Sequence, residues 1–105
     1  MILDIDKSMP PAGPVFVRVG EIGARVSAEI VDQGEPIDMT GMAVTFRVLW
    51  DGGSASAPCT VSGSEAAWSM PEIPACRVLS AYVELSFGEA LITTSEIEIH
   101  MEEAA

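Results

Sequence analysis

Few residues in this sequence could carry out chemistry. His100 is the only histidine, Cys59 and Cys76 are the only thiols, and 16 acidic side chains stand against 5 basic ones. His100 lies between Glu98 and Glu102, so one reading is a metal site of one imidazole and two carboxylates. The simpler reading is a strand with a solvated face, since alternating polar residues are what such a strand requires. Two cysteines and one histidine fall short of the four closely paired ligands of a zinc site. Asp32, Glu35 and Asp38 gather around a turn. Calcium takes six or more oxygens from one loop, and Pro36 interrupts this one; carboxylates that cap turns fit the pattern better. Glu72, Glu84, Glu89, Glu96 and Glu98 could supply a glycosidase-like pair, yet no spacing singles out two of them. Trp50, Trp68 and Tyr82 are candidate rings for stacking on a sugar. The alternation around them turns Trp50 inward, makes Trp68 a core plug and leaves only Tyr82 outward. No residue therefore stands out as catalytic, cofactor-binding or metal-ligating.

Composition narrows the partners. The net charge is −11, and the basic residues Lys7, Arg18, Arg25, Arg47 and Arg77 are scattered. Binding a phosphate backbone replaces counterions with Lys and Arg, so nucleic acid is not an expected partner. An anionic membrane surface is disfavoured for the same reason. No stretch approaches the roughly 20 apolar residues that span a bilayer. Asp4 and Asp6 follow Met1-Ile2-Leu3 at once, which is not the basic start and apolar run of a secretory signal. The expectation is a chain made and kept inside a cell, or assembled there into something larger, with its thiols reduced. A Cys59–Cys76 bridge would close a loop of about 17 residues, worth about 3 kcal/mol if unstrained; the sequence does not decide whether it forms.

The elements that position these residues are strands. The chain is organised around residues 31–50. Asp32-Gln33-Gly34 is turn chemistry, Pro36 holds Glu35 extended, and from Val44 the residues alternate. Val44, Phe46, Val48 and Trp50 share one face; Thr45, Arg47 and Leu49 share the other. Further strands are expected at 15–19, 24–31, 59–61, 66–70, 79–87 and 90–101. Val26, Ala28, Ile30, Ala81, Val83, Leu85, Phe87, Ile97, Ile99 and Met101 are assigned to inner faces. Asp51-Gly52-Gly53 and Gly88-Glu89 read as reversals, the latter as a type II′ hairpin. Residues 54–58 read as loose, and Pro71 to Arg77 as a loop because its prolines exclude an interior strand. Residues 1–14 form an arm or spacer, with a short strand at its head, that could add to a neighbouring subunit's sheet edge. Residues 102–105 are a tail. Seven strands with no helix predict one all-β domain over 15–101, an antiparallel sandwich.

Three segments together resemble the N-terminal domain of phage baseplate upper proteins, which is immunoglobulin-like. The first is Ile30-Val31-Asp32-Gln33-Gly34-Glu35-Pro36-Ile37-Asp38-Met39-Thr40-Gly41 leading into Val44-Thr45-Phe46-Arg47, with Met39 where leucine is usual. The second is Ala66-Ala67-Trp68-Ser69-Met70-Pro71. The third is Ala81-Tyr82-Val83-Glu84-Leu85-Ser86-Phe87-Gly88 with Ile92-Thr93-Thr94. The order and spacing of all three, across residues 15–101, carry the resemblance. It implies an immunoglobulin-like sandwich with a non-enzymatic role in the virion, docking on other tail or baseplate proteins or on copies of itself. The arm 1–14 and the last strand 90–102 are the surfaces expected to do so. The rival expectation is a module that binds carbohydrate or the host surface through Tyr82 and outward carboxylates.

Overall fold

The computed structural model describes residues 1–8, 15–18, 25–71 and 78–102, with the backbone alone at 15–18, 78–79 and 101–102. The proline-rich spacer 9–14, the turn at 20–23, most of the loop after Pro71 (including Glu72 and Cys76) and the tail 103–105 lie outside the described residues. Among the described residues there are eleven strands and no helix. They are β1 (Ile2–Asp4), β2 (Val15–Arg18), β3 (Arg25–Asp32), β4 (Glu35–Pro36), β5 (Ala43–Trp50), β6 (Gly53–Pro58), β7 (Thr60–Ser62), β8 (Glu65–Ser69), β9 (Val78–Phe87), β10 (Ala90–Thr93) and β11 (Ile97–Glu102).

Two sheets face each other across one core. The five-stranded sheet runs β1-β3-β8-β7, with β4 also on β3; the six-stranded sheet runs β2-β11-β9-β5-β6, with β10 also on β9. The all-β sandwich read from the alternation is present. Most pairs are antiparallel, but β1 lies parallel to β3 and β2 parallel to β11. The count of about seven strands is corrected to eleven. Residues 54–58, read as loose, belong to β6, which pairs with Thr45–Trp50 of β5. Their small side chains have little strand preference of their own, so the pairing partner decides. The expected strand 90–101 is broken into β10 and β11, and short β1 and β4 complete the set.

The core is built as the alternation predicts. Val44, Phe46 and Val48 of β5, Ala81, Val83 and Leu85 of β9, and Ile97 and Ile99 of β11 are buried against Ala28, Ile30, Ala66 and Trp68 of the other sheet. Phe46 and Trp68 stack across the sandwich, with ring centroids 4.5 Å apart and planes 14° from parallel. Leu3 and Met39 are also fully buried. Met39 sits on the link that carries the chain from one sheet to the other. Its N–H donates to the Gly63 carbonyl and its own carbonyl accepts from Met42. Phe87 departs from the expectation. It keeps the inward parity of β9 but, as the last residue of the strand, is 62% exposed.

Two buried polar residues close the margins. Asp4, at the end of β1, accepts hydrogen bonds from the backbone N–H of Asp6, Gln33 and Gly34, at 2.8, 2.9 and 3.1 Å. Gln33 and Gly34 are the centre of the β3–β4 turn, both at positive φ (51° and 85°), the combination a type I′ hairpin needs. Asp4 thus satisfies the donors of a strained turn and pins β1 beside it. Its carbonyl also accepts from Ser95 of the other sheet. Thr94 occupies the break between β10 and β11. Its Oγ1 accepts from the Val83 N–H and its own N–H donates to the Val83 carbonyl, so β9 loses no ladder bond where its partner changes. Residues 2–4, the strand expected at the head of the arm, are paired here with the chain's own β3.

Removing the Asp4 carboxylate strands several backbone donors at once, each bonded to a charged acceptor. Asp4→Ala is expected to cost about 3 kcal/mol in equilibrium urea unfolding. A loss under about 0.5 kcal/mol, the range of an ordinary surface change, would show that the turn holds without it.

Candidate functional site

The residues singled out for chemistry do not converge. His100 stands on the outer face of β11, with Nε2 3.2 Å from Glu98 Oε2 and both groups exposed; Glu102 ends the same strand, its side chain outside the described part. Among the described residues no three His, Cys, Asp or Glu side chains cluster closely enough to hold a metal ion. Asp38 is occupied locally. Its Oδ1 accepts from the Thr40 hydroxyl at 2.6 Å and the Thr40 N–H at 3.0 Å, which holds its carboxyl below the usual range. Asp32 and Glu35 are exposed and pair across the turn. The carboxylate that reaches into that turn is Asp4, which sequence reasoning placed in the arm. Its only signal was an acid beside a short apolar run, and its partners are 29 and 30 residues away.

The glutamates are dispersed too. Glu84 grips Arg47 on the outer face of the six-stranded sheet, Oε2 to Nε at 2.6 Å and Oε1 to Nη2 at 3.5 Å. The bond to Glu84 raises the guanidinium above its ordinary range. The Arg47 side chain is 42% exposed, so the pair is worth under about 1 kcal/mol. Glu96 accepts from the Ser80 hydroxyl at 3.0 Å. Glu89 is exposed in the β9–β10 turn. Glu72 lies outside the described residues.

The three rings part company. Trp68 is buried under Phe46. Trp50 is half-buried against its cross-strand partner Gly53, where an added Cβ would come within 2.9 Å of the indole nitrogen. This is an aromatic ring covering the bare backbone of a glycine at a sheet edge. Tyr82 alone is left on the outer face, half-buried opposite Arg47.

The feature that does stand out is apolar. Phe87 and Leu91 are each 62% exposed and Ile92 is 41% exposed, all on the β9–β10 hairpin. Gly88 has φ +61° in its turn, as the first central residue of a type II′ hairpin requires. Register assigns the faces. Ile92 opposes Leu85 and Ala90 opposes Phe87 on the core-facing side, while Leu91 opposes Ser86 on the outer side. The hairpin tip therefore carries the core-facing parity of β9 out to exposed positions, with the Phe87 ring beside Gly41 of the link, its Cε2 4.0 Å from where a Cβ there would stand. Large side chains exposed together mark an interaction surface more often than scattered ones do. Among the described residues no helix is long and apolar enough to cross a membrane.

Compared with models of known protein families the chain matches none, and no curated protein is significantly similar to it in sequence.

Cys59, between β6 and β7, is a free, half-buried thiol, and burial pushes its pKa up from an ordinary 9.0 to about 11. Its stabilising neutral form is shared with the unfolded chain below pH 9, and the advantage of burial is lost as pH climbs from there towards 11. Alkylation needs the thiolate, so at pH 8 Cys59 should react with iodoacetamide roughly a hundredfold more slowly than an exposed cysteine in the urea-unfolded chain. Equal rates in the native and unfolded protein would contradict the burial.

Proposed function

We propose that this chain is a non-enzymatic structural module of a phage or prophage virion: an immunoglobulin-like β-sandwich that assembles into a tail or baseplate through protein–protein contacts. The observation that carries the contact part is the exposed apolar end formed by Phe87, Leu91 and Ile92. The three resembling segments support the virion part. In the fold they form the β3–β5 crossover, the strand bearing Trp68 and the β9–β10 hairpin. The parallel seating of β2 on β11, after β1 has paired in the opposite sheet, supports the immunoglobulin-like reading. The partners are other virion proteins or copies of the same chain. Nucleic acid and membrane are not proposed, given the net charge of −11.

Particles purified from lysates of the cells that carry the gene should contain this protein in several copies, detected by peptide mass spectrometry and by immunogold on the tail. Its absence from purified particles, with the protein recovered only in the soluble fraction, would reject the proposal. A carbohydrate-binding module would instead bind a glycan array as a monomer and lose that binding in Tyr82→Ala.

A further inference from the structure

We propose that the outer edge of β10 is a β-addition site for an extended, basic segment of a partner protein, with Phe87, Leu91 and Ile92 as its apolar contacts. This rests on the reading of the chain as an assembly module. Three features of the hairpin argue for it. The first is its open ladder. Among the described residues β10 pairs with β9 alone. In a two-residue hairpin the flanking pair, here Phe87 and Ala90, exchanges both hydrogen bonds, so the next residue directs its N–H and C=O away. Leu91 and Thr93 therefore present their backbone groups outward, and Thr94 returns to bond with Val83, which keeps that register to the end of the strand. Among the described residues nothing pairs with this edge.

The second is the arrangement of the side chains. A strand laid along β10 places successive residues on opposite faces. One set would meet Leu91 on the outer face, and the other would meet Phe87 and Ile92 on the core-facing side. Backbone pairing then supplies affinity, and an incoming strand finds an apolar contact on whichever face its own apolar residues take.

The third is charge, which chooses the occupant. Residues 78–102 contain Glu84, Glu89, Glu96, Glu98 and Glu102 and not one Lys or Arg. Glu89 sits at one end of β10 and Glu96 just past the other. A second copy docked edge to edge would set this acidic stretch against itself, in a chain already at −11. A partner segment carrying Lys or Arg between its apolar residues gains where a copy loses.

The test uses three synthetic peptides of about ten residues, a usual strand length: Val-Lys repeats, Gly-Lys repeats and Val-Glu repeats. Each is added to the intact protein, with amide hydrogen exchange followed by NMR. The Val-Lys peptide should slow exchange at Leu91 and Thr93 by roughly tenfold or more, as new backbone bonds demand. The Gly-Lys and Val-Glu peptides should not. Leu91→Pro, which deletes one outward N–H, should weaken Val-Lys binding roughly tenfold, the equivalent of one lost hydrogen bond. Phe87→Ser, which leaves the backbone intact, should weaken it too. Protection at β6 or β7 instead, no protection anywhere, or equal protection by Gly-Lys would overturn the inference. If β10 stays unprotected while the protein is still found in virions, this site falls and the assembly reading stands. If β10 captures the Val-Lys peptide but the protein is missing from virions, the edge is real and the assembly reading fails.

Discussion

The sandwich depends on one contact, the stack of Phe46 on Trp68. Phe46 is the middle inward residue of β5, the strand flanked by both β6 and β9, and Trp68 comes from β8 of the opposite sheet. Rings of this size each bury about 200 Å², or about 5 kcal/mol at 25 cal/mol/Å². Offset stacking adds about 1 kcal/mol. There is a local cost, because the Trp68 indole N–H is buried with no hydrogen-bond partner among the described residues. A lost bond of that kind costs about 1–3 kcal/mol, less than the burial of either ring. The ring is held there by its shape and area rather than by its polar end.

Around that centre the buried polar residues among those described, Asp4, Thr94 and Ser95, lie at the margins. Asp4 and Thr94 are buried, and each satisfies backbone donors where a strand ends or changes partner. Together with the Asp4 carbonyl bond to Ser95 they tie the two sheets at one edge. None of this machinery reaches the tip of β9–β10. The core surface ends at Leu85, and the hairpin continues two residues further with apolar side chains in solvent. The exposed apolar tip, on a strongly acidic chain, is the observation on which the proposed docking role rests.

Much of the frame was legible from local pattern. Period-two alternation assigned Val44, Phe46 and Val48, Ala28 and Ile30, and Ile97 and Ile99 to the core because each strand is buried on one face only. What it missed was decided elsewhere in the chain. Leu3 and Asp4 are buried by β3 and its turn, about 30 residues away, and no local signal separates them from an arm. Met39 lies on an irregular link, where periodicity says nothing. Gly53–Pro58 becomes a strand because β5 offers it an edge, not because its residues favour one. Phe87 has the right parity for the core, but parity reports direction, not burial. The acidic candidates failed as sites for a related reason: turn and strand chemistry place carboxylates at regular intervals, and only long-range packing could have gathered them.

The apolar residues divide into those buried in the sandwich and those exposed at the hairpin tip. Equilibrium urea unfolding of Phe46→Ala beside Phe87→Ser tests that division most directly. Phe46→Ala should lose about 3–5 kcal/mol, as large-to-small changes in a packed core do, while Phe87→Ser should stay within about 0.5 kcal/mol of the parent, as exposed substitutions do. Comparable losses at the two positions would mean that Phe87 belongs to the core and that the hairpin tip is not a spare surface.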